Sequence, residues 1–238
     1  HSFYKIHRKK AFLCNDLSSL KNKVALINET GNRAIVQELV EGKPNNNFSC
    51  CVLIYNGVKI LSVSARRRRQ YPLDFGASST FVQTEKVDIE KLSIKLLKHI
   101  KINGLFEVEF KYDSKSSEFK LLEVNPRVWK WHTIGSDKGF NFINLYFRAL
   151  IGFKIKQVEF NYNNQLIWED YLADKLSLTL SVIKKYEKIR ELNPFTASHN
   201  NKIYGVFSLK DPLPGLAYFS LIISELINQL YVISAQSI

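Results

Sequence analysis

Hydrophobic and polar positions alternate most regularly between residues 104 and 127. Val108 and Phe110 alternate with Glu107 and Glu109; further on, Leu122 and Val124 alternate with Glu123 and Asn125. A period of two marks a strand with one face buried. Asp113 to Ser117, between the two runs, contains no apolar residue, so the segment predicts a β-hairpin around a polar turn. Folding it about Ser116 sets Glu109 opposite Glu123 and Glu107 opposite Asn125, and all four side chains then point to one face. Directly opposed residues have Cβ atoms about 5 Å apart, and like charges there are destabilising. A hard divalent cation between them would remove the conflict, since Mg²⁺ takes one or two carboxylates together with phosphate oxygens. A solvated acidic strand face is the other reading of the hairpin alone.

The same periodicities predict the remaining elements. Residues 2 to 13 read as two short strands with a basic turn at His7-Arg8-Lys9. Asn15 or Asp16 caps a helix over 17 to 29, with Leu17, Leu20, Val24 and Ile27 at helical spacing and Gly31-Asn32 ending it. Residues 34 to 42 read as a strand that turns polar at Gly42-Lys43-Pro44. Residues 50 to 65 form a hairpin about Asn56-Gly57, the strongest short hairpin signal. An amphipathic helix spans 87 to 101, with Ile89, Leu92, Leu96 and Ile100 inward. Another covers 140 to 151 and stops at Gly152. Helical patterns over 174 to 192 stop near Asn193-Pro194, and a strand follows at 202 to 208. The apolar stretch from Leu216 to Ile233 carries Ser220, Ser224, Glu225, Asn228 and Gln229, which suits a docking or interface helix better than a membrane span.

Composition adds little to the fold and something to the ligand. The 238 residues are 45% hydrophobic and 24% charged, ordinary for a globular protein. A net charge of +12 suits an anionic ligand: nucleotide, nucleic acid or membrane surface. Cys14, Cys50 and Cys51 have neither metal-ligand spacing nor the even count of a disulfide framework, which points to a reducing cytosol. His132 is a candidate base, although a packing or capping histidine is the commoner case. The chain begins at His1 and contains no methionine, so a fragment of a longer protein, or one lacking some residues, is expected.

Glu109-Phe110 followed by Leu-Leu-Glu-Val-Asn-Pro-Arg at 121 to 127 resembles the metal-binding end of the ATP-grasp superfamily. The resemblance implies that Glu109, Glu123 and Asn125 hold the Mg²⁺ that bridges the ATP phosphates, and that Arg127 faces the γ-phosphate or acyl-phosphate. Other parts follow the family order over about residues 2 to 152. Lys5 and Lys10 match the two strand lysines over the phosphates, although the turn between them lacks the glycine-rich lid. Ala-Ile-Val-Gln-Glu-Leu-Val-Glu-Gly at 34 to 42 resembles the hinge that reads adenine, implying roles for Gln37, Glu38 and Val40. Arg66-Arg67-Arg68-Arg69-Gln70-Tyr71-Pro72 resembles the wall where acceptor or phosphate binds. Strand alternation puts Arg67 and Arg69 on one face, and these two are expected to face the site.

The expected fold is therefore α+β of ATP-grasp type, antiparallel sheets with flanking helices, with the usual preceding α/β domain absent from this chain. The expected division is an ATP-grasp domain over 1–152, its small subdomain about 1–40 and its larger one about 41–152, and a C-terminal α/β extension over 153–238. The implied function is an ADP-forming carboxylate–amine ligase using ATP and Mg²⁺, of carbamoyl-phosphate-synthase-like or D-aspartate-ligase-like type. Its partners would be a small-molecule carboxylate and an amine, with no nucleic acid, no membrane span, a cytoplasmic location and a homodimer among the assemblies allowed. Two readings compete with it: a basic nucleic-acid-binding module built on the arginine run, and an ATP-grasp nucleotide binder without catalysis.

Overall fold

The computed structural model describes residues 2–7, 11–73, 75–160, 162, 165–183 and 201–235. Two compact units are present, residues 1–40 and residues 41–238. In the first, α1 (Ser2–His7) replaces the expected strand. Phe3 and His7 lie one helical turn apart, and both rings pack on Phe12, at 5.6 and 5.5 Å between centroids. That cluster needs helical rather than strand spacing. The cap of α2 (Leu17–Glu29) is Asp16, which accepts from the Ser19 backbone N–H at 2.7 Å. The expected strand over 34–42 does not form. Among the described residues no neighbouring strand pairs with it, and Ile35 and Val36 are exposed.

The second unit is built on one sheet in the order β5-β4-β1-β2-β3-β6-β7. The strands are β1 (Asn47–Tyr55), β2 (Val58–Tyr71), β3 (Ala77–Gln83), β4 (Gly104–Asp113), β5 (Glu118–Asn125), β6 (Ile167–Glu169) and β7 (Lys202–Tyr204). Among the described residues only β6 and β7 run parallel; every other pairing is antiparallel. Asn56 and Gly57 close β1 onto β2 with φ of 50° and 74°, the left-handed pair that a two-residue type I′ turn requires. The inner strand β1 is buried along nearly its whole length because both sheet faces are covered.

One face carries Cys51, Leu53, Leu61, Val63, Ala65, Phe81 and Leu105, packed under Trp129, Trp131, Ile134, Phe142 and Trp168. The other carries Cys50, Val52, Ile54, Phe106 and Val108 under α3 (Val87–His99). The inward positions of α3 are Ile89, Ser93 and Leu97; Leu92 and Ile100, expected inward, are exposed. Ser93 can be buried because its hydroxyl donates to the Ile89 carbonyl at 2.6 Å.

Three more helices follow: α4 (Phe142–Leu150), α5 (Tyr171–Ile183) and α6 (Leu213–Ala235). The expected helix over 174–192 and the Asn193-Pro194 stop lie partly outside the described residues. Among the described residues, no helix is long and apolar enough to cross a membrane. Burial pushes the Cys50 thiol up to about 12 and raises Cys51 as well, so neither is a thiolate at neutral pH.

Candidate active site

The apolar face under Trp131 turns polar as the strands run on. Along β4 the same-face series is Leu105, Glu107, Glu109; along β2 it is Val63, Ala65, Arg67. The register expected for the hairpin is present: Glu107 pairs with Asn125 and Glu109 with Glu123, ahead of a bulge between Glu109 and Phe110. β5 is an edge strand, and Glu123 is exposed while Glu107 is buried. The cluster therefore has a dry inner end and an open outer one.

Every carboxylate in it is held. Asn125 Nδ2 donates to Glu123 Oε1 at 2.8 Å and to Glu109 Oε1 at 3.3 Å. Arg67 Nη2 donates to Glu109 Oε2 at 3.2 Å, and Arg67 Nη1 to Gln70 Oε1 at 3.2 Å. Trp131 Nε1 donates to Glu107 Oε1 at 2.7 Å. Arg127 is exposed at the open end, its Nη2 donating to Asn125 Oδ1 at 3.3 Å.

Charge crowding and burial act together. Burial first, then the neighbouring Glu107, pushes the Glu109 carboxyl up to about 8, against the pull of Arg67. Burial also raises Glu107, partly offset by the Trp131 hydrogen bond. Burial lowers Arg67 from its ordinary value, against the three glutamates around it. When all three glutamates are ionised, the two guanidinium groups of Arg67 and Arg127 leave one negative charge unbalanced, which a further cation would take up. Among the described residues no group of three or more His, Cys, Asp or Glu forms a metal cage. Two opposed carboxylates fit the sparser protein shell that Mg²⁺ shares with phosphate oxygens; Asn125 turns its Nδ2 to them and its Oδ1 to Arg127, so its amide would have to turn over to add an oxygen ligand.

The surroundings of the other expected site residues are as follows. Arg69 does not share a face with Arg67. Arg68 is bulged out, so Arg67 and Arg69 stand opposite Phe81 and Thr80, consecutive residues of β3 whose side chains point to opposite faces. Arg69 is buried and grips Asp174 of α5 with two bonds, Nε at 2.6 Å and Nη2 at 2.7 Å, and the Thr80 hydroxyl donates to the same carboxylate. It fastens α5 to the sheet. Lys5 is exposed on α1, a helix where a strand was expected. Lys10 lies outside the described residues. Gln37 and Glu38 are exposed and Val40 is buried, in a segment without the expected strand. His132 Nδ1 lies 2.9 Å from the Trp129 carbonyl oxygen, a local contact within the turn.

Sequence reasoning missed Trp131 as the partner of Glu107, Gln70 as a partner of Arg67, and Asp174. The first had a signal: a tryptophan inside a core usually finds an acceptor for its N–H. Asp174 had only the general rule that a buried acid on an apolar helix needs a cation.

The family model for the carbamoyl-phosphate synthase L chain, ATP binding domain, matches residues 33–158, more than half of the chain. The chain belongs to this ATP-grasp family. The matched segment carries the whole glutamate hairpin and the arginine strand. The seven-stranded, mainly antiparallel sheet with helices on it is the ATP-grasp fold in this chain.

Comparison with curated proteins finds no match. Among solved structures the chain is similar to N5-carboxyaminoimidazole synthetase from Staphylococcus aureus complexed with ADP, with a TM-score of 0.48 and 14% identity over 75% of this chain and 48% of that one. It is also similar to the biotin carboxylase domain of a thermophilic 2-oxoglutarate carboxylase bound to bicarbonate (TM-score 0.48, 16% identity, 67% of this chain and 38% of that one). A third is the multifunctional pyruvate carboxylase of Rhizobium etli (TM-score 0.44, 17% identity, 64% of this chain and 15% of that one). The chain spans less than half the length of each.

Proposed function

We propose that this chain serves an ADP-forming ligase that activates a small-molecule carboxylate as an acyl-phosphate and joins it to an amine. The observation that carries the reading is the pairing of Glu109 with Glu123 across the hairpin, with Asn125 on both and Arg67 behind Glu109. Glu109, Glu123 and Asn125 would hold Mg²⁺, which when bound supplies charge neutralisation for the ATP phosphate oxygens.

In the reaction a carboxylate oxygen attacks the γ-phosphorus. The bond to the β–γ bridging oxygen breaks, and ADP leaves. An amine nitrogen then attacks the acyl carbon; the bond from that carbon to the phosphate oxygen breaks, releasing phosphate and a proton. The protein's task is positioning and charge placement. Arg127, exposed beside Asn125, offers a guanidinium to the transferred phosphoryl group, and Arg67 stands behind Glu109 on the sheet. Arg69 has no part in transfer, because Asp174 takes its Nε and Nη2. Amino acids, D-aspartate among them, and carbamate-forming substrates suit this chemistry. A cytoplasmic location and a homodimer belong to the same proposal.

The nucleic-acid reading rested on the arginine run. At least two of its four guanidinium groups, those of Arg67 and Arg69, are engaged by carboxylates within the fold, so the run is not a free basic stripe. The test of turnover is hydroxylamine trapping. With Mg-ATP and pools of amino acids and other carboxylates, the proposal expects hydroxamate together with stoichiometric ADP. ATP bound without hydroxamate or ADP from any pool would favour a nucleotide binder without catalysis.

A further inference from the structure

We propose that Arg67 is a placeholder cation: it occupies the seat on Glu109 that a divalent cation takes, and loading of that cation frees its guanidinium for the carboxylate of the substrate. The inference rests on the reading of Glu109, Glu123 and Asn125 as a cation site.

Arg67 is incompletely satisfied where it stands. Its Nη2 reaches one oxygen of Glu109, its Nη1 reaches the neutral Gln70, and its Nε is buried with no hydrogen-bond partner among the described residues. A stranded buried donor is costly, and the cost is relieved by any ligand that brings an acceptor. Two residues along, Arg69 shows what the same edge of a guanidinium can hold. Its Nε and Nη2 together take both oxygens of Asp174. In Arg67 that edge is half used, with Glu109 on Nη2 and nothing on Nε. A substrate carboxylate would fill it in the two-pronged geometry that guanidinium groups favour.

Glu109 stands in the way of that arrangement. Its Oε1 takes Asn125 and its Oε2 takes Arg67, so it has no oxygen clear of a donor. A divalent cation on Glu109, Glu123 and Asn125 competes with Arg67 for Glu109 Oε2, and the two cations repel at that distance. Cation loading and carboxylate binding are therefore coupled. Each raises the affinity of the other by the same factor.

Mn²⁺ is the probe, titrated without nucleotide and followed by the loss of the free-ion electron paramagnetic resonance signal. Wild type, Arg67→Lys, Arg67→Met, Arg67→Gln and Glu123→Gln are compared, each checked by thermal melting for a folded state. Removal of the competing charge in Arg67→Met and Arg67→Gln should tighten Mn²⁺ binding by about tenfold. Arg67→Lys, which keeps the charge, should stay near wild type. A purely structural arginine would lower the melting temperature without tightening Mn²⁺. Wild-type binding that Glu123→Gln abolishes, with unchanged or weaker binding in folded Arg67→Met and Arg67→Gln, would overturn the placeholder and leave the cation site standing. Mn²⁺ binding that is absent, or indifferent to Glu123, would overturn both.

Discussion

Glu109 and Glu123 stand directly opposite each other on β4 and β5, and a single amide nitrogen, Asn125 Nδ2, donates to both. Opposed like charges cost roughly 0.2–1 kcal/mol in a strand pair. Glu123→Gln should therefore melt slightly higher than wild type in metal-free buffer above about pH 8, where Glu109 is ionised too, by an amount matching up to about 1 kcal/mol. Differential scanning calorimetry with a chelator reads this directly. A clear loss of stability would show that the pair is structural.

The pH dependence of stability should carry the signature of Glu109. Its folded-state pKa, pushed up to about 8 by burial and then by Glu107, lies above the unfolded value. Between those two values the folded state binds more protons, so this group's contribution is fully present below the unfolded pKa and is lost as pH rises through about 8. Metal-free wild type should lose melting temperature from pH 5 to pH 8.5 more steeply than Glu109→Gln. Equal slopes for the two proteins would contradict the assignment.

Arg69 and Asp174 form a buried two-pronged pair between β2 and α5. Removing one partner strands the other charge, which costs about 3–5 kcal/mol. Asp174→Ala should fall in that range by urea denaturation. The double change Arg69→Met, Asp174→Leu should recover most of the loss, because it leaves no charge to bury. A double variant no better than Asp174→Ala would show that the pair does more than fasten α5.

Trp131 joins the core to the acidic cluster. Its ring stacks on Phe81 at 4.6 Å, and its N–H is spent on the buried Glu107. Trp131→Phe keeps the stacking and removes the donor, for a cost of about 1–3 kcal/mol. In a Glu107→Gln background, where no buried charge needs that donor, the same substitution should cost less. Equal costs in the two backgrounds, measured in a double-mutant cycle, would deny the coupling.

The hairpin was legible because a period-two pattern fixes faces and a turn free of apolar residues fixes the register. Glu107 opposite Asn125 and Glu109 opposite Glu123 follow from those two facts. The arginine strand was legible only as far as Arg67. Arg68 is bulged, and one extra residue sends Arg69 to the other face, where Asp174 waits more than a hundred residues along the chain. No local pattern announces either event. At the N-terminus, short apolar runs fit strand and helix alike, and the spacing of Phe3, His7 and Phe12 decided for a helix. The run at 34–40 has strand composition but no partner strand among the described residues, and propensity without a partner makes no ladder.

The central claim is a nucleotide site that depends on Mg²⁺ and the hairpin glutamates. Calorimetric titration of Mg-ATP into wild type and Glu123→Gln, repeated with ATP in EDTA, tests it most directly. Binding by wild type that disappears both without Mg²⁺ and in the folded Glu123→Gln variant is the predicted result. Mg-ATP binding of equal strength in the two proteins, or none to folded wild type, would contradict the account.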